Sequence, residues 1–192
     1  VVGGLRFYER AEIKDALAFF RLLIKSDDNL SFERIINIPK RGLGSVFLRK
    51  LNDFAKKNNL SLLDSLRKYL ETETLSKGPR DNITMFLKVL DKHKEMLKNK
   101  DHFEVAGALL DDIGYTDMLK NEKTIESEGR LENLKKLVVD IRSRSTLNGF
   151  LDEVSLLTDV SNEREGTEKI SIMTLHSAKG LEFDYVFLPG WE

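Results

Sequence analysis

The side chains best suited to chemistry in this 192-residue chain gather in two short stretches. The first is TLHSAKGLEF, residues 174–183, a polar segment between two strand-like runs. Thr174, His176 and Ser177 carry groups that hydrogen-bond phosphate oxygens. Gly180 lets backbone come close to a ligand, and Glu182 can accept from a sugar hydroxyl. A histidine such as His176 is by itself more often a satisfied structural residue. The string as a unit carries the meaning. No G-x-x-x-x-G-K-[ST] phosphate loop accompanies it, so the segment is either ordinary structure or one part of a larger site.

The second stretch is NIPKRGLGSVFLRKLNDFA, residues 37–55. Gly42-Leu43-Gly44 falls between a short predicted helix and a longer one beginning near Ser45. Glycine allows a tight turn and close approach of backbone to another molecule. The helix start behind it exposes unpaired N–H groups, which favour phosphate oxygens. Leu43 is expected to point inward, with Lys40, Arg41, Arg49 and Lys50 supplying positive charge. A G-h-G hairpin of this kind grips duplex backbone without reading sequence. A plain helix–helix turn with a glycine stop fits the same letters.

These stretches need elements to hold them. Residues 1–4, VVGG, read as the tail of a strand, and residues 11–25 as a helix apolar nearly all round, hence buried on most faces. KISIMTL (169–175) and DYVFLP (184–189) read as strands. Between them lie helices with visible punctuation. Ser31 is placed to cap FERIIN, Ser61 with Asp64 resembles a capping box, and Pro79 suits a first helical turn. Ile83, Phe86, Leu87 and Leu90 form one apolar stripe; Leu131, Leu134, Val138 and Ile141 form another. Gly114 is expected as a helix stop, and residues 161–168 as a polar hinge. The expected fold is mainly α: a helical insert flanked by strand-helix and strand-loop-strand pieces of an incomplete α/β domain.

Composition sets outer bounds. Charged residues make up 33%, against about 25% in ordinary domains. With no cysteine, disulfides and thiolate metal sites are excluded, and a reducing cytoplasm is the expected compartment. The three histidines lack metal-ligand spacing, and no apolar run reaches membrane-span length. The net charge of −1 hides an asymmetry. Residues 39–69 hold eight Lys or Arg against two acids, whereas residues 103–168 hold fifteen acids against eight bases. Such blocks shape a field although the sum is near zero.

Four segments, in order, carry a resemblance to the superfamily 1 DNA helicases of the UvrD/PcrA/Rep type. TLHSAKGLEFDYVFLPGWE resembles the family's motif V, and GGLRFYERAEIKDALAFFRLL its motif IVa. PKRGLG is similar to its duplex-contacting GIG motif, with Leu43 in place of the usual Ile. SEGRLENLKKL resembles the segment near the return from subdomain 2B to 2A.

The resemblance implies that residues 1–25 and 169–192 are pieces of the RecA-like 2A domain and 26–168 the helical 2B subdomain. It implies that Thr174, His176 and Ser177 face single-stranded DNA, and Gly180 and Glu182 the nucleotide. Lys40, Arg41, Gly42, Gly44 and Ser45 would lie on duplex backbone. The parent protein would be an ATP-driven helicase using Mg²⁺, with DNA, domains 1A and 1B, the rest of 2A, and repair proteins as partners. The phosphate-cradling and metal-holding groups belong to other segments, so no catalytic or metal-binding residue is expected here, and the fragment alone is expected to be inactive. Two other readings remain open: a free-standing DNA-binding module using the hairpin alone, and a helical scaffold docking through its acidic block. DNA binding discriminates the scaffold from the others, and a phosphate loop upstream discriminates the helicase.

Overall fold

The computed structural model describes residues 4–72, 75–162, 183 and 185–187. Ten helices account for the regular structure among them: α1 (Gly4–Tyr8), α2 (Ala11–Ile24), α3 (Asn29–Ile35), α4 (Ser45–Asn58), α5 (Leu62–Thr72), α6 (Lys77–Met96), α7 (His102–Asp112), α8 (Tyr115–Glu122), α9 (Ile125–Arg142) and α10 (Leu147–Asn162). The fold is mainly α, as expected.

The expected strands fare differently. Gly4 begins a helix rather than ending a strand, and residues 169–175 lie outside the described residues. Tyr185, Val186 and Phe187 are exposed and have no regular structure. A strand is defined by its ladder, and no partner strand exists among the described residues.

α2 is the axis of the bundle. It packs on α1, α3, α6, α7, α9 and α10, and Ile13, Ala16, Phe19 and Phe20 on it are fully buried. A helix enclosed on so many sides can be apolar nearly all round, which is what its sequence shows. The stripe Ile83, Phe86, Leu87 and Leu90 is buried on α6. On α9 the buried stripe is Leu134, Leu137 and Ile141, with Leu131 and Val138 half-buried. The expected 25/26 boundary falls in the turn between α2 and α3.

Buried polar groups form a hydrogen-bonded seam that joins α2 to α3, α8 and α9, and α1 to α9. Tyr115 Oη donates to Asp15 Oδ2 at 2.9 Å, and Arg34 Nε donates to Asp15 Oδ1 at 2.7 Å. Asn133 donates to Glu12 Oε1 at 2.8 Å, and the Tyr8 hydroxyl donates to Asp140. Burial and the adjoining carboxylates push both phenols, Tyr8 and Tyr115, well above the usual tyrosine range. Lost partners here would leave unsatisfied groups in low dielectric, so the seam fixes which helix faces meet.

Helix ends follow local chemistry. Asp28, not Ser31, caps α3: its carboxylate accepts from Ser31 N at 2.9 Å and from the Ser31 hydroxyl at 2.7 Å. A carboxylate one turn earlier captures the free N–H, and Ser31 becomes its ligand. Ser61 caps α5 as expected, accepting from Asp64 N at 3.1 Å. Gly114 stops α7 with φ +82°, a left-handed conformation suited to glycine.

Candidate nucleic-acid interface

The hairpin expected at residues 37–44 is present and firmly built. Asn37 spans it: its carbonyl oxygen accepts from Arg41 N at 2.8 Å, and its amide donates to Leu43 O at 3.0 Å. Leu43 is 2% exposed and anchors the tip in the core. Pro79, in the first turn of α6, packs against the hairpin, with its Cγ 3.9 Å from where a side chain on Gly42 would begin. Asn82 donates to Arg41 O at 3.1 Å from the same helix.

The two glycines have different reasons to be glycine. Gly42 has φ +74°, a backbone that other L residues adopt only with strain. Gly44 has φ −76° and ψ 171°, extended values open to any residue, and a Cβ there would meet nothing within 4 Å. Gly44 is the N-cap of α4 and gives that helix no side-chain cap. The first N–H groups of α4 therefore face outward beside an exposed Ser45, where the helix dipole is positive.

Charge surrounds this point unevenly. Lys40, Arg49 and Lys50 are exposed, and Arg49 lies one turn after Ser45 on the same side of α4. Arg41, expected on duplex backbone, is turned inward instead. Its Nη1 donates to the carbonyls of Ile35, Ile36 and Ile38 at 3.0, 2.9 and 2.8 Å, and the guanidinium stacks 4.5 Å from the Phe86 ring centre. It caps the C-terminus of α3, adding to the Ile38 N–H that already reaches Ile35 O at 3.0 Å. Burial pushes its pKa down to about 10, leaving it charged at neutral pH. The hairpin is held by this buried cation, so only its neighbours are free to meet an anion.

Asn37, Asn82 and the inward role of Arg41 were not foreseen from sequence. An asparagine at a helix end before proline is a turn signal, and it was the one hint available. Thr174, His176, Ser177, Gly180 and Glu182 lie outside the described residues. No cluster of His, Cys, Asp or Glu suited to a metal ion occurs among the described residues. No described helix is long and apolar enough to cross a membrane.

Bundle and hairpin together define a helical module carrying a glycine hairpin at an uncapped helix start. Residues 1–192 match the UvrD-like helicase C-terminal domain, and the chain belongs to that family. It is 40% identical over 195 residues to DNA helicase II of Rickettsia typhi, covering 100% of this chain and 29% of that protein. It is 36% identical over 204 residues to the ATP-dependent DNA helicase PcrA of Bacillus subtilis, covering 100% of this chain and 28% of that protein. The PcrA of Staphylococcus epidermidis strain RP62A is 36% identical over 205 residues, of which this chain covers 27%. The chain thus spans less than a third of the length of these curated relatives.

Proposed function

We propose that this chain is the duplex-gripping part of an ATP-dependent DNA helicase, bound to DNA through the Gly42-Leu43-Gly44 hairpin. The observation that carries the reading is Gly44: an uncapped helix start, open to solvent, among exposed cations, at a glycine that the fold itself does not require. Backbone N–H groups of α4 hold a phosphate oxygen, and Lys40, Arg49 and Ser45 position the neighbouring phosphates. Base edges are not reached, so binding is independent of sequence.

The relatives named as ATP-dependent DNA helicases support a parent protein that uses ATP to act on DNA; Mg²⁺ and a cytoplasmic location belong to the same proposal. Residues 1–25 and 169–192 would be pieces of its 2A domain, and residues 26–168 would be 2B. Thr174, His176 and Ser177 would then face the single strand, and Gly180 and Glu182 the nucleotide. The groups that cradle and transfer phosphoryl would come from domains outside this chain. The isolated chain is accordingly expected to show no DNA-stimulated ATP hydrolysis.

Fluorescence polarisation on a labelled 20-base-pair duplex tests the reading. With about three phosphate contacts, log K should fall with log salt at a slope near −2.7. A fourfold rise in salt then weakens binding about 40-fold. Two unrelated duplex sequences should give the same affinity. No measurable binding at low salt, or a strong preference between the two sequences, refutes it.

A further inference from the structure

A groove of about 680 Å³ runs between α7, α8 and α9, and the duplex reading makes no use of it. Its floor is apolar: Gly107 and Leu110 from α7, and Leu131, Leu134 and Val138 from α9. Along α9 the lining runs from Glu128 to Val138, about 15 Å at 1.5 Å per residue, or nearly three helical turns.

The rim is acidic. Asp111, Glu128 and Glu132 border it against Lys120 and Lys135. Both lysines are already engaged, Lys120 with Asp117 at 3.1 Å and Lys135 with Glu132 at 2.5 Å. Asp111 and Glu128 thus have no cation among the described residues, within a block of net charge −7 over residues 103–168. Such a rim repels nucleic acid and attracts a basic ligand.

Gly107 adds a separate observation. Within a helix, glycine costs about 0.8–1.0 kcal/mol relative to alanine. The fold does not demand that sacrifice, since a Cβ there would meet only the Val138 methyls at 3.9 Å, an ordinary contact. The absent side chain deepens the floor between α7 and α9. Neither α1 nor α10, the helices at the described ends of the bundle, lines the groove.

We propose that this groove is a docking site for a basic amphipathic helix of a partner protein. Leucine-type anchors spaced i, i+4, i+7 would enter beside Gly107, and lysine or arginine on the flanks would meet Asp111 and Glu128. The inference stands apart from the duplex reading, because it uses other helices and the opposite charge.

The test uses the full 192-residue chain and fluorescein-labelled peptides of about 16 residues, long enough to hold a helix once bound. One has a leucine face and lysine flanks; its counterpart keeps the leucines and carries glutamate. The lysine peptide should bind, perturbing amide resonances of α7–α9, and the glutamate peptide should bind at least tenfold more weakly. Gly107→Leu fills the floor and should weaken the lysine peptide about tenfold with an unchanged or raised melting temperature. Asp111→Asn with Glu128→Gln should weaken it by a similar factor and flatten its salt dependence, which keeps the test open if the Gly107 variant misfolds. Equal binding of both peptides, resonance changes outside α7–α9, or full affinity in the variants overturns the proposal. So does a wild-type dimer in sedimentation that Gly107→Leu dissociates, since the occupant would then be a second copy.

Discussion

Gly44→Val separates a hairpin that binds a phosphate from one that only turns the chain. The fold tolerates the change, because φ −76° and ψ 171° suit a β-branched residue and no atom lies within 4 Å of the new Cβ. Glycine is a better N-cap than an aliphatic residue by roughly 0.5–1 kcal/mol. Reduced freedom of the unfolded chain returns about 0.4–1 kcal/mol. Stability should therefore stay within about 1 kcal/mol, a shift of no more than about 4 °C for a chain of this size.

Binding should respond differently. An N–H···O bond from the first turn of α4 needs a donor–acceptor distance near 2.9 Å, roughly. The isopropyl group of valine stands where the phosphate must come, and holds it beyond bonding distance. A hydrogen bond to a charged group is worth about 1.5–3 kcal/mol, so duplex affinity should fall at least about tenfold. Gly42→Val is the control with the opposite signature. At φ +74° it strains the backbone by roughly 1–2 kcal/mol or more, so it should lower the melting temperature first. Calorimetry and polarisation on both variants decide the matter. A folded Gly44→Val protein with wild-type duplex affinity would refute the phosphate-binding reading and leave the hairpin a turn.

The other expectations concern groups with defined partners. Lys40→Ala should leave the melting temperature unchanged while lowering the salt slope of duplex binding by up to about 0.9, read from a salt titration. Arg41→Lys should do the reverse. Lysine offers one nitrogen to the carbonyls of Ile35, Ile36 and Ile38 but loses the guanidinium plane stacked on Phe86, so about 1–2 kcal/mol of stability is lost in urea unfolding. Tyr8 and Tyr115 have folded-state pKa values raised above the unfolded value near 10 (about that of a free phenol), so their contribution is intact below pH 10 and is lost as pH rises further. Between pH 9 and pH 11 the stability difference between wild type and the Tyr8→Phe, Tyr115→Phe double variant should shrink by about 2–3 kcal/mol. A pH-independent difference would mean that the phenols ionise freely.

Much of the helical architecture was legible because burial writes itself into spacing. α6 and α9 carry apolar residues at helical intervals, and α2 is apolar all round because six other helices enclose it. The caps were legible to within a turn. Ser31 and Asp28 both suit an N-cap by residue type, and only the backbone decides which N–H is free. The direction of Arg41 was not legible. Its letter sits in a basic run that reads as surface, while its partners are carbonyls at the end of α3 and an aromatic ring 45 positions later, on α6. Long-range contacts of that kind have no local signature. Polar residues of the seam, such as Asp15 and Asn133, were missed for the same reason.

Glycine carries the clearest lesson about what a letter can mean. At Gly42 the chain's own backbone demands it, and the demand can be read from one angle. At Gly44 and Gly107 nothing inside the molecule does, since each has room for a side chain. Room alone marks no ligand, because Gly129 on α9 is equally unobstructed. The surroundings make the difference. Gly44 stands at an uncapped helix start among exposed Lys40, Arg49 and Lys50, a field that draws a polyanion. Gly107 floors an apolar groove whose rim carboxylates Asp111 and Glu128 meet no cation among the described residues, a field that turns a polyanion away. One molecule cannot satisfy both. If the two glycines each make way for something, the chain holds DNA and a basic helix at separate places. The variants then have crossed effects: Gly44→Val should spare peptide binding, and Gly107→Leu should spare duplex binding. Loss of both activities in either variant would show that the sites are not independent.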